Sequence, residues 1–221
     1  MGTEGDPDGP RPWDCYRGTK AWGWYLDDLE NWQTFLATDK PVKALEVGGF
    51  EGISTNLMLD LLFTHPDSQV HAIDPFLPDP TTPEVDGLTR ECFIENCKTG
   101  GHDEQITLYE GLSSEVLAWM AAGDGFWQSF DFIYIDGSHL AKDVFIDAAL
   151  SWSLLKPGGI IAFDDYEWGE NEVNPHAKPR MAIDAFERVF FDRLELIHTG
   201  WRRIFRKTEG LMGRASFPLS D

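Results

Sequence analysis

Short apolar runs alternate along the chain with longer stretches whose apolar residues recur at helical spacing. Helical spacing is seen for Ile53 and Leu57 after the first run, and for Val144, Ala148 and Leu155 after the fourth. Strands joined by helical crossovers lie parallel, so this pattern predicts an α/β fold with a doubly wound sheet. The five runs typical of buried strands are 42–47 (VKALEV), 69–74 (QVHAID), 105–109 (QITLY), 130–135 (FDFIYI) and 160–163 (IIAF).

The two ends of the chain depart from this alternation. Arg193–Thr199 and Trp201–Lys207 are β-prone runs separated by a glycine, which predicts a C-terminal antiparallel hairpin and seven strands in a mostly parallel sheet. An aromatic-rich stretch from Trp22 to Leu36 has helical spacing and predicts an N-terminal helical cap. We therefore expect three parts: an arm and cap over 1–40, one domain over 41–207 and a tail over 208–221.

Two irregular polar segments, residues 75–87 and 169–179, follow the second and fifth predicted strands. The carboxyl ends of the strands form the edge at which open α/β sheets bind ligands. We expect these two loops, together with the N-terminal cap, to border whatever the protein binds. An amphipathic helix from about Pro179 to Phe191 follows the second loop.

Three aspartates end two neighbouring buried strands. Asp136 follows the fourth apolar run, and Asp164 and Asp165 follow the fifth. Because a helical crossover makes these strands parallel, the three carboxylates reach one rim of the sheet. Carboxylates are hard oxygen ligands suited to Mg²⁺ or another divalent ion, and crowded carboxylates need a cation or shifted pKa values. The alternative is structural: Asp136 caps the next helix, and Asp164 and Asp165 form a turn.

Other side chains near this rim suggest chemistry. His139, three residues after the first aspartate, is expected in the first turn of the crossover helix. Histidine titrates near neutral pH, so His139 is a candidate general base, or else it orders the loop by hydrogen bonding. Tyr166 and Trp168 offer flat faces on which sugar rings stack, or they pack as a lid on the core. His176 and Arg180 either contact a polar or anionic ligand or belong to a solvated loop.

A glycine-rich turn joins the first strand to its helix, with Gly48, Gly49 and Gly52 around Phe50 and Glu51. Glycines let a ligand approach the backbone, and a helix start offers unpaired N–H groups. A dinucleotide fingerprint would require glycine at positions 50 and 53, where this chain has phenylalanine and isoleucine. The turn therefore favours a smaller nucleoside over NAD or FAD.

Asp74 ends the strand that follows the glycine turn. An acid at this place in the fold can bind both hydroxyls of a ribose. An aspartate before a proline is also a common turn former. The pairing of Asp74 with the glycine turn favours the binding role.

The charge of the chain limits the classes of partner. With 18 basic and 38 acidic residues, the formal net charge is −20, which disfavours nucleic acid and anionic membrane surfaces as partners. The basic cluster near the C-terminus is interpreted as the solvated face of a strand; it comprises Arg202, Arg203, Arg206 and Lys207. No apolar run reaches the roughly 18–20 residues of a membrane span, and the acidic start is unlike a signal peptide.

Three cysteines, Cys15, Cys92 and Cys97, are too few and too scattered for a disulfide framework. Cys92 and Cys97 lack a second Cys or His pair that would complete a zinc site. We therefore expect reduced thiols and a cytoplasmic protein.

Five segments in this order resemble class I S-adenosylmethionine-dependent methyltransferases: ALEVGGFEGIST, VHAIDPF, FDFIYIDGSHLAKDV, LLKPGG and FDDYEW. The resemblance covers about residues 42–190 and favours the small-molecule and sugar O-methyltransferases that carry D-G-S-H and D-D motifs. It implies a Rossmann-like methyltransferase fold, S-adenosylmethionine as cofactor, and a small-molecule or sugar acceptor. Apart from the resemblance, the aromatic stripe from Trp22 to Leu36 has two open roles: it covers the binding edge of the sheet, or it forms the interface of a homo-oligomer.

The resemblance implies roles for individual residues. The methionine end of the cofactor would lie along Gly48, Gly49, Phe50 and Ser54, with its amino group near Glu46. The ribose would bind Asp74, and the adenine would lie between Gly111, Leu112 and Ser113. Asp136 would also contact the cofactor. Asp136, Asp164 and Asp165 would hold a divalent ion, with His139 and Asp136 as catalytic residues. Many methyltransferases have glycine where this chain has Phe50.

Two alternatives remain open at this stage. The first is a metal-independent methyltransferase of the same fold that uses His139 alone. The second is a binding or assembly protein that keeps the fold without turnover.

Overall fold

The structure, a computed structural model of the chain, describes residues 15–17, 29–77, 89–169 and 172–209. Three predicted regions fall largely outside these ranges: the start of the arm and cap, most of the loop at 75–87, and nearly all of the tail from 208. The aromatic cap is described from Leu29 onward, where a helix runs to Leu36.

Strands and helices alternate through the described chain. The strands are β1 (Lys43–Val47), β2 (Gln69–Asp74), β3 (Ile106–Glu110), β4 (Phe130–Ile135), β5 (Leu155–Phe163), β6 (Leu194–Thr199) and β7 (Arg203–Lys207). The α-helices are α1 (Leu29–Leu36), α2 (Ile53–Leu57), α3 (Thr89–Gly100), α4 (Ser113–Ala122), α5 (Ala141–Leu154) and α6 (Pro179–Val189). A π-helical turn, Met58–Leu62, continues α2, and 3₁₀ turns occupy Pro175–Ala177 and Phe191–Arg193.

The seven strands form one sheet in the order β3-β2-β1-β4-β5-β7-β6. The first five strands are parallel, and β7 pairs antiparallel with both β5 and β6. The predicted doubly wound sheet with a terminal hairpin is confirmed. Val47 pairs with Ile73 and Ile135, and Ile135 pairs with Phe163, so four parallel strands end at one level. The residues that follow these strands therefore share one edge of the sheet.

Within the described ranges, helices cover both faces of the sheet, because apolar side chains alternate between its faces. One face carries Leu45, Val47, Ile133 and Phe163 and packs against α4, α5 and α6. The other face carries Ala44, Phe132, Tyr134 and Ala162 against α1 and the π turn, with Ala72 against α3. No helix of the described residues is both long and apolar enough to cross a bilayer.

Two local features differ from the sequence expectation. The crossover helix α5 begins at Ala141, so His139 lies in the turn before the helix and not in its first turn. The same helix ends at Leu154, and β5 starts at Leu155 instead of Ile160. Pro157 accounts for the second difference, because proline disfavours a helical conformation in the residues before it.

Candidate active site

The glycine turn after β1 lies directly against the end of β4. Gly48 has a φ of +95°, and a β-carbon built on it would lie 2.1 Å from the backbone oxygen of Asp136. A β-carbon on Gly49 would lie 2.9 Å from the ring of Phe93, on α3. Glycine is required at position 48 both by its left-handed backbone and by the neighbouring strand.

Phe50 stands where related turns often carry glycine, and its φ of +45° shows why glycine is usual there. Its amide N–H donates to Asp74 Oδ2 at 2.7 Å, while the amide of Phe76 donates to Oδ1 at 2.6 Å. Each carboxylate oxygen has a second lone pair, so Asp74 shapes the turn and can still accept from hydroxyls. Burial raises the pKa of Asp74 above its usual range.

The residues after β3 lie next to Asp74. The amide of Gly111 donates to the backbone oxygen of Asp74 at 3.1 Å. Leu112 follows with 47% of its surface exposed, and Ser113 begins α4. The structure thus brings together the residues predicted to contact the ribose and the adenine.

Glu46 is fully buried below the glycine turn. Its carboxylate accepts hydrogen bonds from the hydroxyls of Ser54, at 2.5 Å, and Thr55, both in the first turn of α2. Burial raises the pKa of Glu46 to about 7, although the two hydroxyl bonds oppose the shift. Sequence reasoning identified Ser54 and missed Thr55. The signal was two adjacent hydroxyl residues at a helix start beside a buried strand glutamate.

The three rim aspartates form one cluster. Asp136, Asp164 and Asp165 each offer a carboxylate oxygen, and these oxygens all lie within 4.8 Å of one another. Backbone hydrogen bonds hold two of these aspartates at the ends of the neighbouring strands. The amide of Asp136 donates to Val47 O at 2.8 Å, and that of Asp164 donates to Ile135 O at 3.0 Å. Burial raises the pKa of Asp136 well above its usual range, and the charges of Asp164 and Asp165 add to the shift.

Arg202 belongs to this acidic site. The prediction that it lies on the solvated face of a strand is wrong. Its side chain is 3% exposed, and its Nε lies 3.0 Å from Asp164 Oδ1. The hydroxyl of Tyr134 donates to the other oxygen, Oδ2, at 2.8 Å. The sequence did contain a signal for Arg202, namely the rim itself, because carboxylates that crowd together are stabilised by a nearby cation.

The prediction of a solvated face is also wrong for Lys207, whose ammonium donates to the backbone oxygens of Trp152 and Leu155 at 2.7 and 2.9 Å. Arg206 is exposed, as predicted, and Arg203 is half-buried. In the sheet, β7 lies between β5 and β6 and is not an edge strand. Some of the basic residues of the hairpin are therefore buried and others are exposed.

His139 joins the acidic cluster through Asp165. Its Nε2 lies 3.1 Å from Asp165 Oδ2, and its ring stacks on Trp168 with centroids 4.5 Å apart. Asp165 itself has a φ of +58°, a left-handed conformation that aspartate tolerates better than most residues. The structure therefore brings both His139 and Trp168 to the rim.

Three other residues that were predicted to contact the acceptor, Tyr166, His176 and Arg180, have surroundings different from the acidic cluster. Tyr166 is 7% exposed; its hydroxyl donates to Asp184 at 2.8 Å, and the guanidinium groups of Arg180 and Arg203 cover its ring. Tyr166 therefore packs in the core and offers no face to an acceptor. His176 is exposed on a 3₁₀ turn, and within the described ranges no contact joins it or Arg180 to the acidic cluster.

A small cavity lies between α1 and the sheet on the face that carries Tyr134. Ser54 and Arg202 both line it, so it adjoins the glycine-turn side of the site and the acidic side. Trp32 also lines it, with its ring 5.0 Å from that of Tyr134 and the Arg202 guanidinium 5.2 Å away. Its other lining residues are apolar: Leu57, Met58 and Leu62.

Two comparisons with other sequences agree on the family. A protein-family model described as "Methyltransferase domain" matches residues 45–166, more than half of the chain. Caffeoyl-CoA O-methyltransferase of Stellaria longipes is 26% identical over 143 residues, which is 65% of this chain and 54% of that protein. The match therefore spans only about half the length of this curated relative.

Solved structures share the fold. The O-methyltransferase TomG from Streptomyces achromogenes, solved with S-adenosylmethionine, is 17% identical with a TM-score of 0.61, over 86% of this chain and 82% of that one. The MycE methyltransferase of the mycinamycin pathway, solved with Mg and S-adenosylhomocysteine, is 16% identical with a TM-score of 0.53, over 93% and 55%. The chain belongs to the methyltransferase-domain family, and it carries a class I S-adenosylmethionine-dependent methyltransferase domain.

Proposed function

We propose that this protein transfers the methyl group of S-adenosylmethionine to a hydroxyl oxygen of a small molecule or sugar, with help from a divalent cation. The observation that carries the proposal is the contact between Gly48 and the backbone of Asp136. This contact puts the glycine turn and the acidic cluster side by side on one edge of the sheet, which supports a cofactor and an acceptor bound next to each other. The O-methyltransferase relatives support oxygen as the acceptor atom.

The glycine-turn side would bind the cofactor. Glu46 would lie near the amino group of its methionine part, with Gly48, Gly49, Phe50 and Ser54 along that part, Asp74 on the ribose, and Gly111, Leu112 and Ser113 beside the adenine. The hydrogen bonds that tie Phe50 and Gly111 to Asp74 support this arrangement, because they hold the turn and the β3 end together.

The residues of the acidic cluster fit a divalent cation. Ions of this kind hold their oxygen ligands at about 2.0–2.6 Å, so two ligands of one ion lie at most about 5 Å apart, as these carboxylate oxygens do. Arg202 balances one of the three negative charges, and two remain for the ion. Such an ion, held by Asp136, Asp164 and Asp165, would chelate neighbouring acceptor hydroxyls and lower the pKa of one.

His139 would accept the proton of the attacked hydroxyl. In this transfer the acceptor oxygen would form a bond to the methyl carbon while the carbon–sulfur bond breaks, and S-adenosylhomocysteine would leave with the sulfur electron pair. The proton passes to the imidazole, and Asp165, 3.1 Å from Nε2, would orient the ring and stabilise its charged form. Holding both reactants at one edge supplies the proximity that methyl transfer needs.

The test is turnover of labelled S-adenosylmethionine with a panel of catechol, flavonoid and glycosylated hydroxyl compounds, before and after EDTA treatment and with Mg²⁺ or Mn²⁺ added back. We expect activity that EDTA removes and the metal restores. Asp136→Asn should lose this activity. Asp131→Asn is the matched control, because Asp131 lies at the other end of β4, where it pairs with Lys156.

Other outcomes would overturn parts of the proposal. Unchanged turnover after EDTA would show a metal-independent enzyme with His139 as base. Failure to bind S-adenosylhomocysteine in calorimetry would favour a binding or assembly role for the fold. A homo-oligomer and a cytoplasmic location stay predictions.

A further inference from the structure

Asn96 is fully buried and joins three parts of the chain: its own helix α3, the glycine turn and residues 15–17. Its Nδ2 donates to the backbone oxygens of Glu51, at 2.8 Å, and Arg17, at 2.6 Å. Its Oδ1 accepts from the backbone N–H of Arg17 at 2.7 Å. An asparagine amide has two N–H donors and one oxygen, so each of its polar groups is used.

One of the three joined parts is the glycine turn, to which Glu51 belongs. Phe93 lies one helical turn before Asn96, and its ring fills the space where β-carbons on Gly49 and Gly52 would stand, at 2.9 and 3.0 Å. The ring and the amide therefore support the same turn from the same side of α3. The position of that turn depends on this helix.

A second joined part is the short described segment at residues 15–17. Tyr16 is 6% exposed, and its hydroxyl donates to Asp60 Oδ2 at 2.6 Å. His102 Nε2 lies 2.8 Å from the other oxygen of Asp60. Two partly buried contacts thus hold the segment: Tyr16 bonds Asp60 in the π turn, and the backbone of Arg17 bonds Asn96.

We propose that Asn96 is a positioning residue for the cofactor turn, and that cofactor binding and docking of residues 15–17 stabilise each other through it. The same Asn96 amide bonds Glu51 in the glycine turn and Arg17 in the docked segment. A shift of either one therefore moves the amide group that the other one bonds. Linkage requires the coupling to act in both directions. The inference goes beyond the proposed reaction, because it concerns neither the acceptor nor the metal.

The first test measures the dissociation constant of S-adenosylhomocysteine by calorimetry. Asn96→Asp keeps the shape of the side chain and turns its donor into an oxygen that faces the backbone oxygens of Glu51 and Arg17. We expect affinity to fall about tenfold or more, since buried acceptors are left unpaired. Arg17→Ala is the control: it keeps both backbone bonds and removes the exposed ion pair with Glu95, so affinity should stay within about twofold.

The second test follows hydrogen exchange of the Arg17 backbone amide, whose N–H donates to Asn96 Oδ1. S-adenosylhomocysteine should slow this exchange in the wild type, which a purely structural role of Asn96 would not produce. Tyr16→Phe removes only the hydroxyl that binds Asp60, and it should weaken cofactor binding about threefold and reduce the ligand-dependent slowing. If Asn96→Asp does not fold, Tyr16→Phe decides alone.

The outcomes are separable. Wild-type affinity in both Asn96→Asp and Tyr16→Phe, or exchange at Arg17 that ignores the ligand, overturns the coupling while the cofactor assignment stands. A wild-type protein that binds no S-adenosylhomocysteine overturns the cofactor assignment, and the coupling with it.

Discussion

The edge of the sheet that carries the candidate site has two halves, and both contain acidic residues. The groups that surround the carboxylates differ between the two halves. In the glycine-turn half, formed by the ends of β1, β2 and β3, the carboxylates of Glu46 and Asp74 accept bonds from hydroxyls and backbone amides. In the acidic half, at the ends of β4 and β5, three carboxylates crowd together beside Arg202 and His139.

The difference shows that neighbouring donors decide what an acid at a strand end can bind. Neutral donors hold a single carboxylate in place and leave it suited to neutral hydroxyl groups. Three carboxylates within 4.8 Å repel one another, so they are suited to a cation. The two halves touch at Gly48 and Asp136, and five substitutions test how far they are independent.

The largest effect is expected from Arg202→Met in the acidic half. It leaves Asp164 buried without its cation, which costs about 3–5 kcal/mol of unfolding free energy in comparable pairs. Urea unfolding measures the loss, and Mn²⁺ should restore part of it by binding the folded state. Arg206→Met, which breaks an exposed pair with Glu195, is the control and should cost less than about 1 kcal/mol. Equal losses in the two variants would contradict the assigned role of Arg202.

Gly48→Ala tests the contact between the halves. The new methyl group would strike the Asp136 backbone and would strain a left-handed residue, at a combined cost of about 3 kcal/mol. Both S-adenosylhomocysteine and Mn²⁺ binding should weaken. Gly125→Ala adds a methyl group where nothing lies within 4 Å, so it should leave thermal unfolding and both affinities nearly unchanged.

A reciprocal pair of variants sharpens the comparison. Asp136→Asn should weaken Mn²⁺ binding about 100-fold and cofactor binding much less, because it removes a proposed ligand. Asp74→Asn should weaken S-adenosylhomocysteine binding about tenfold, because bonds to a charged acceptor are lost, with little effect on Mn²⁺. Calorimetry on both variants gives the four affinities. If either variant damaged both affinities equally, the halves would act as one site.

The smallest effect concerns the protonation of Glu46. Its pKa is raised to about 7, so the folded protein holds this proton at acidic pH and releases it near neutrality. Its contribution to stability is lost as pH rises from the usual range of a glutamate through about 7. Affinity for the positively charged cofactor should show the opposite trend and fall as pH drops below 7. Glu46→Gln should flatten this pH profile, and a wild-type profile that is already flat would contradict the prediction.

Much of the site was predictable because strand ends are local features. Apolar periodicity locates the end of each buried strand, and parallel pairing brings Gly48, Asp74, Asp136 and Asp164 to one edge. Tyr166 shows the limit of this reasoning. Its place after Asp165 suggested an acceptor contact, yet its ring packs between Arg180 and Arg203, both more than ten residues away along the chain.

The amino-acid sequence by itself determined the order of strands and helices, the parallel sheet and the edge that carries the glycine turn and the aspartates. Only the tertiary structure decided that Arg202 pairs with Asp164 and that Asn96 ties Arg17 to Glu51. The physical reason is that periodicity reports which face of an element is buried. Which two buried polar groups meet across the chain depends on packing between elements, and no local pattern records it.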